Sequence, residues 1–153
     1  MAEMDFKCFV SQTHSVGETE KIGADFGRYL LEKGENTAFI AMYGDLGAGK
    51  TAFIRGLSSS VTPGASVSSP TYTIVNEYDD GKNRLYHFDM YRIETEDDLE
   101  SIGFYDYSDG MIAAEWCEKI PYALPDTYYK VEIGKTGAND RTVTVRKTGD
   151  DDK

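Results

Sequence analysis

The sequence is poor in cysteine, proline and tryptophan, and it has no long hydrophobic run. Its 153 residues include two cysteines, four prolines and one tryptophan. Cys8 and Cys117 lack CxxC spacing, so we interpret them as ordinary reduced thiols rather than as metal ligands or a redox pair. No apolar run approaches the ~18 residues of a membrane span, and the first residues show no basic region or apolar core. These absences predict a cytoplasmic protein with no membrane segment.

Positive charge is also scarce. Sixteen basic residues stand against 27 acidic ones, which gives a formal charge of −11. Such a surface repels phosphate backbones, which argues against direct, tight binding to nucleic acid or to an anionic membrane. Any role with nucleic acid is therefore expected to be indirect, through partner proteins.

Hydrophobic periodicity predicts one globular domain over residues 1–153, with a solvated acidic tail at about 148–153. The predicted strands cover residues 5–10, 37–43, 71–78, 84–91, 111–116, 128–134 and 141–147, and the predicted helices cover 15–34, 50–60 and 95–102. Strands 71–78 and 84–91 should form an antiparallel hairpin, as should the last two strands. A loop is expected at 62–69. The pattern predicts an α/β fold, a three-layer P-loop NTPase core with a mixed parallel and antiparallel sheet flanked by helices.

Residues 44–51 carry the strongest chemical signal. They match G-x-x-x-x-G-K-[ST] between a predicted strand and a predicted helix, the context that a phosphate-binding loop requires. Glycines turn successive N–H groups inward, and the following helix adds its positive end. Lys50 would reach the β/γ-phosphates and the Thr51 hydroxyl would ligate Mg²⁺. The predicted nucleotide-binding residues here are Asp45, Leu46, Gly47, Ala48, Gly49, Lys50, Thr51 and Ala52.

A P-loop also needs an acidic residue at the end of a neighbouring strand to hold the metal or its water. Asp89 and Glu115 are both candidates. Asp89 ends an alternating strand, whereas Glu115 follows the more continuous apolar run 111–114. The pattern does not decide which of them binds Mg²⁺ directly and which orients water, and either could instead be a solvated carboxylate.

Other candidates are less distinctive. Thr71 lies between a loop and a strand, where P-loop proteins place a hydroxyl that senses the γ-phosphate, although a plain loop-to-strand transition fits equally well. Trp116 could pack on the nucleotide or belong to the core. His14 and His87 lack partners at ligand spacing, so we interpret both as structural.

Four separate segments resemble the TsaE family. They are residues 44–51, Ser-Pro-Thr-Tyr-Thr at 69–73, His-Phe-Asp-Met-Tyr-Arg at 87–92, and Glu115-Trp116. The resemblance covers about residues 10–147, and the visible departure is Met90, where the family usually has Leu, a volume-conserving change. That family is the bacterial ATPase needed to make N6-threonylcarbamoyladenosine at position 37 of tRNAs that read ANN codons.

The resemblance implies an ATP-driven resetting subunit that works with the TsaB and TsaD proteins, where TsaD transfers the threonylcarbamoyl group. It also implies site roles, which composition and spacing alone do not give. Thr51 and Glu115 become the expected Mg²⁺ ligands, Asp89 a residue needed for hydrolysis, Thr71 the switch hydroxyl, Trp116 and Arg141 neighbours of the nucleotide, and Thr13 and Ser15 contacts on the base side.

Two other functions share the P-loop. A small-molecule or nucleoside kinase is disfavoured because the chain has six arginines and no Arg-rich lid segment. A GTP-dependent switch is disfavoured because no N-K-x-D segment is present to read guanine. We also find no convincing arginine finger, so hydrolysis by the chain alone should be slow and stimulated by partners.

Overall fold

The computed structural model describes residues 5–44, 48–65 and 75–149. Within them lie seven strands: β1 Cys8–Thr13, β2 Phe39–Tyr43, β3 Val75–Asp79, β4 Arg84–Asp89, β5 Met111–Glu115, β6 Tyr128–Lys135 and β7 Arg141–Thr148. The α-helices are α1 Val16–Glu32, α2 Lys50–Val61 and α3 Glu96–Ser101, followed by short 3₁₀ turns at Phe104–Asp106, Cys117–Lys119 and Pro121–Ala123. Part of the predicted loop 62–69, the start of strand 71–78 and the predicted tail beyond 149 lie outside the described residues.

All seven strands join one mixed sheet in the order β1-β7-β6-β2-β5-β4-β3. The central strand β2 is parallel to β5 and β6, and β4 is parallel to β5. The pairs β3–β4, β6–β7 and β1–β7 are antiparallel. The predicted α/β class, the mixed sheet and both hairpins are confirmed.

Helices α1 and α2 cover one face of this sheet. Strand residues alternate between faces, so Ile40, Met42 and Val131 point toward these helices and are fully buried. Phe26 of α1 and Phe53 of α2 meet them with no exposed surface. Burying each such side chain contributes about 1.5–3 kcal/mol, so this layer fixes where α2, and with it Lys50, sits on the sheet.

The opposite face is covered over β2, β5 and β4 by α3 and the 3₁₀ turns. Phe88 of β4 packs its ring edge-on against Phe104 at 5.2 Å and against Tyr107 at 5.1 Å. Leu99 of α3 is fully buried in the same cluster. The centre of the sheet therefore lies between two helical layers, as expected for a three-layer fold.

Hydrogen bonds from side chains set where β1 and α1 begin. Strand β1 begins at Cys8, not at residue 5, because the Asp5 carboxylate accepts a hydrogen bond from the Lys7 N–H and closes a turn before the strand. At the start of α1, Ser15 Oγ accepts a hydrogen bond from the Glu18 N–H, and the Glu18 carboxylate accepts one from the His14 N–H. In a capping box the carboxylate would accept from the Ser15 N–H, so here the second bond is displaced by one residue.

Among the described residues, no helix has both the length and the apolar character needed to cross a membrane.

Candidate nucleotide-binding site

Those predicted site residues that the structure describes converge on one edge of the sheet. Strands β2, β4, β5 and β6 are parallel, so their carboxyl ends meet there, and the antiparallel strand β7 begins there. This edge therefore carries Gly44, Asp89, Glu115 and Arg141. Strand β1 runs antiparallel to β7 and brings Thr13 opposite Arg141. Ligands of open α/β sheets bind at this edge.

Lys50 is the first residue of α2 and lies almost entirely inside the protein. Its Nζ donates a hydrogen bond to the Gly44 carbonyl oxygen at 2.6 Å, and the residue is 6% exposed. The preceding Gly49 is left-handed, with φ 109°, and provides no side-chain cap for the helix. The first N–H groups of α2 therefore keep their capacity to bind an anion beside a buried ammonium group.

Gly44 marks the exit from β2, where the loop begins. Its φ is 143°, and a Cβ atom there would lie 2.5 Å from the Ile133 carbonyl oxygen on β6. Any larger residue would push the loop off the sheet, so the glycine lets the chain turn tightly above β6.

Glu115, at the end of β5, faces Lys50. Its Oε1 lies 3.8 Å from Lys50 Nζ, and its Oε2 lies 2.6 Å from His87 Nε2. Asp89 is the register partner of Glu115 on β4, but its Oδ1 accepts a hydrogen bond from the Tyr91 N–H at 3.0 Å. The two acidic candidates are thus neighbours in different settings: Glu115 is buried against the lysine, and Asp89 is half-buried at a turn.

Trp116 follows Glu115 with a strained backbone. Its φ of 63° is the one positive value among the non-glycine residues that the structure describes. The indole ring lies 5.0 Å from Lys50 Nζ and 4.9 Å from the Tyr91 ring, centroid to centroid. Such a conformation costs about 1–3 kcal/mol and is typical of functional sites. This backbone conformation places the indole ring of Trp116 beside Lys50.

Arg141 ties the last hairpin to the loop. Its Nε donates to the Ala48 carbonyl oxygen at 3.0 Å, while Nη1 donates to the carbonyl oxygens of Gly137 at 3.2 Å and Asp140 at 2.9 Å. One guanidinium group thereby joins the residues just before α2 to the β6–β7 turn.

A groove of about 110 Å³ opens beside this guanidinium group. The starts of α1 and α2 form one side of the groove, and the β6–β7 turn forms the other. The lining residues are Ser15, Val16, Thr19, Gly49, Ala52, Asn139 and Arg141. The predicted residue Thr13 does not line it, because its buried hydroxyl is paired with the Thr19 hydroxyl at 2.7 Å. Thr13 thus contacts Thr19, which lines the groove.

The rim of the groove carries an ion pair. His14 Nδ1 lies 2.8 Å from Asp140 Oδ1, and both side chains are largely exposed. The hydrogen bond and the charge of Asp140 raise the pKa of His14 above its ordinary value. The pair links the loop before α1 to the β6–β7 turn, the two segments that flank the groove.

Sequence reasoning missed three of these neighbours. His87 and His14 each contact a carboxylate, and Asn139 lines the groove. Only the pairing of β4 with β5, and of β1 with β7, brings these residues to their partners, and spacing along the chain does not reveal it. The alternation of side chains along β4 does place His87 on the same face as Asp89, and this was the one feature of the sequence that could have indicated that His87 lies near the site.

Four predicted site residues cannot be placed in this arrangement. Asp45, Leu46, Gly47 and Thr71 lie outside the described residues, so their roles stay predictions.

The described residues fit a phosphorylated ligand accompanied by a divalent cation. A buried ammonium group and an uncapped helix start supply the charge and the N–H donors that phosphate needs. Glu115 turns one carboxylate oxygen toward them, and Thr51 follows Lys50 on α2; oxygen atoms are the ligands that Mg²⁺ prefers. The sheet order, the strand–loop–helix unit and this site together define a P-loop-type α/β protein.

Comparison with known proteins identifies the particular family. A family model described as threonylcarbamoyl adenosine biosynthesis protein TsaE matches residues 13–143. The chain belongs to the TsaE family.

Individual relatives agree with this assignment. The chain is 36% identical over 110 residues to the tRNA threonylcarbamoyladenosine biosynthesis protein TsaE of Bacillus subtilis, covering 72% of this chain and 70% of that protein. It is 38% identical over 116 residues to TsaE of Haemophilus influenzae, covering 74% and 73%. TsaE of Treponema pallidum is 32% identical over 135 residues, covering 87% and 96%.

A solved structure is similar over nearly the whole chain. The crystal structure of Bacillus subtilis YdiB superposes with a TM-score of 0.72 at 26% identity, covering 95% of this chain and 88% of that one. The shared architecture is the P-loop-type fold described above.

Proposed function

We propose that this chain is the Mg²⁺-dependent ATPase subunit required to form N6-threonylcarbamoyladenosine at position 37 of tRNAs that read ANN codons, and that it works in the cytoplasm with TsaB and TsaD. The observation that carries the proposal is the Lys50 site. In a member of the TsaE family, a buried lysine at an uncapped helix start faces the Glu115 carboxylate at 3.8 Å.

Binding of the phosphates is assigned to the loop and to α2. In the described structure, Lys50 donates to the Gly44 carbonyl oxygen, an acceptor that a phosphate oxygen would replace with a stronger, charge-assisted partner. The N–H groups at the start of α2 add positive potential at the same place. Exchange of one acceptor for another makes nucleotide binding favourable without unburying the ammonium group.

The metal is assigned to the oxygen atoms beside Lys50. Thr51 and Glu115 would hold Mg²⁺, which when bound neutralises charge on the β- and γ-phosphates. Asp89, the register partner of Glu115 on β4, is assigned to the attacking water, because its carboxylate is more exposed than that of Glu115. The base and ribose are assigned to the groove beside Ser15, Ala52 and Arg141. Trp116 would border the nucleotide from the other side of Lys50.

The charge of the chain supports an indirect relation to tRNA. A formal charge of −11 opposes tight contact with a phosphate backbone, so the tRNA would be held by the partner proteins. Nucleotide turnover by this chain would then act on the state of the complex, and it should depend on that complex.

The test is Mg²⁺-dependent hydrolysis of ATP and GTP by the purified chain, alone and with the TsaB–TsaD pair. We expect slow ATP turnover that the pair raises and that Lys50→Ala abolishes. The matched control is Lys82→Ala, which removes an exposed lysine from the β3–β4 turn and should leave turnover unchanged.

Other outcomes lead to the other functions. Turnover indifferent to the pair would contradict the proposed partnership. Transfer of phosphate from ATP to an added small molecule would support a kinase, and tighter binding of GTP than of ATP would support a switch.

A further inference from the structure

His87 is a buried polar residue whose partner belongs to the site. It lies on β4 with no exposed surface, and its Nε2 lies 2.6 Å from Glu115 Oε2. Among the described residues, its Nδ1 is the one buried side-chain nitrogen or oxygen atom without a hydrogen-bond partner. An apolar side chain of similar volume would fill this position without burying an unpaired polar atom, so packing alone does not account for a histidine here.

The unpaired atom determines which ring nitrogen carries the hydrogen. A hydrogen on Nδ1 would be a buried donor without an acceptor, which costs about 1–3 kcal/mol. A hydrogen on Nε2 points at the Glu115 carboxylate and forms a short, charge-assisted bond. His87 is therefore a donor to Glu115 through Nε2–H.

This hydrogen bond sets the orientation of the Glu115 carboxylate. With Oε2 held by His87, the other oxygen, Oε1, is the one turned toward Lys50 Nζ at 3.8 Å. Without the bond, the terminal torsion of a glutamate is broad, so the plane of the carboxylate can take many orientations. His87 thus narrows the range of orientations of the Glu115 carboxylate and keeps one oxygen turned toward Lys50.

We propose that His87 is a positioning residue that holds Glu115 ready for Mg²⁺, an inference that rests on the proposed function of the site. Mg²⁺ requires near-ideal octahedral geometry, so a ligand of fixed orientation binds it more tightly than a mobile one. Partners that orient metal ligands typically contribute about 10–100-fold to metal affinity or activity. His87 acts from behind Glu115 and does not contact the ligand, because the ring is enclosed between β4 and the core.

Two amide variants separate the hydrogen bond from the packing. The side-chain nitrogen of His87→Gln is as many bonds from Cα as Nε2, so it can donate to Glu115 in the same way. The nitrogen of His87→Asn stands at the position of Nδ1 and falls short of Glu115. Both variants bury one amide, and urea unfolding of each shows whether it remains folded.

The measurement is calorimetric binding of ADP over a range of Mg²⁺ concentrations. We expect His87→Asn to need about tenfold more Mg²⁺ than the wild type for the same ADP affinity. His87→Gln should keep the wild-type Mg²⁺ dependence, and ADP affinity without Mg²⁺ should be the same in all three proteins. Equal Mg²⁺ dependence of the wild type and His87→Asn, or equal losses in both variants, would overturn the proposal.

A second measurement needs no variant. The ring nitrogens of the folded wild-type protein, observed by ¹⁵N NMR, should show hydrogen on Nε2 of His87, and hydrogen on Nδ1 would contradict the inference. Failure of the proposed function is recognised separately, because the wild type itself would then bind ADP without any response to Mg²⁺.

Discussion

The Arg141 Nε donates a hydrogen bond at 3.0 Å to the carbonyl oxygen of Ala48, a residue 93 positions earlier in the chain. The bond joins the hairpin of β6 and β7 to the residues that lead into α2, the helix that begins with Lys50. Because the same guanidinium group also holds the Gly137 and Asp140 carbonyl oxygens, the loop and the β6–β7 turn cannot move independently while it is in place.

We expect Arg141→Lys to weaken ADP binding about tenfold, because an ammonium group cannot serve three carbonyl oxygens in the geometry of the planar fork, and a charged hydrogen bond contributes about 1.5–3 kcal/mol. Calorimetry measures the affinity. Arg146→Lys, an exposed change on the same strand, is the control. Unchanged affinity in Arg141→Lys would show that the loop needs no such tie.

Glu115→Gln and Asp89→Asn should have different effects, since the first carboxylate faces Lys50 and the second caps the turn at Tyr91. Glu115→Gln should lose most of the Mg²⁺-dependent gain in ADP affinity. Asp89→Asn should retain that gain and lose turnover, by about 100-fold if it removes a positioned base. Calorimetry and a steady-state ATPase assay separate the two effects, and equal loss of binding in both variants contradicts the division of roles.

The His14–Asp140 pair predicts a dependence on pH. Asp140 raises the pKa of His14 above its ordinary 6.5, so the folded protein binds this proton more tightly than the unfolded chain does. The pair therefore stabilises the folded state fully below about pH 6.5, and this contribution is lost as the pH rises through the raised pKa of His14. An NMR titration of the His14 ring should give a pKa above 6.5 in the wild type and a lower one in Asp140→Asn. The same value in both proteins would show that the pair does not form in solution.

Helices α1 and α2 are in such close contact that one added methyl group between them should destabilise the folded protein. A Cβ atom on Gly56 would lie 1.8 Å from the Glu20 carbonyl oxygen, so Gly56→Ala must separate the helices and should cost about 2 kcal/mol or more in the free energy of unfolding. On the first turn of α1, a Cβ atom on Gly17 would meet only Ser15 Oγ at 3.9 Å, an ordinary contact, so Gly17→Ala should instead stabilise by about 0.5–1 kcal/mol. Urea unfolding measures both, and similar midpoints would contradict the packing described.

The two thiols should differ in reactivity. Burial raises the pKa of Cys117 to about 12, and its thiol donates to the Ala114 carbonyl oxygen. Cys8 is exposed at the start of β1. A thiol reagent at mildly alkaline pH should therefore modify one cysteine in the folded protein and two in concentrated guanidinium chloride. Rapid modification of both in the folded state would argue against the packing around β5.

Local patterns in the sequence predicted much of this fold. The apolar run at 37–43, the motif at 44–51 and the helical spacing that follows define the strand–loop–helix unit without any knowledge of distant residues. Alternation and turn residues predicted the strands 84–91 and 141–147 and the hairpins that each forms with the strand before it. Each of these features depends on residues that are close together along the chain, so a single sequence is enough to predict it.

The parts that the sequence did not reveal depend on strand order. No local pattern states that β7 lies between β1 and β6, so the contacts of His14 with Asp140 and of Arg141 with Ala48 could not be derived from spacing. The bond from His87 to Glu115 likewise follows from the parallel register of β4 and β5. The hydrogen bond between the Thr13 and Thr19 hydroxyl groups also depends on side-chain orientation, and the predicted contact of Thr13 with a ligand stays a prediction.

Trp116 lies beside Lys50 and is also an intrinsic fluorophore. It is the one tryptophan of the chain, and its indole ring lies 5.0 Å from the Lys50 ammonium group. Red-edge excitation selects tryptophan over the eleven tyrosines, so the emission of the unlabelled protein comes from a single place. A charge that close perturbs the excited indole, and movement of Lys50 toward a phosphate would change the emitted light. On the proposed function, this single indole would report when the site is occupied, and a stopped-flow instrument would follow its emission on the time scale of binding.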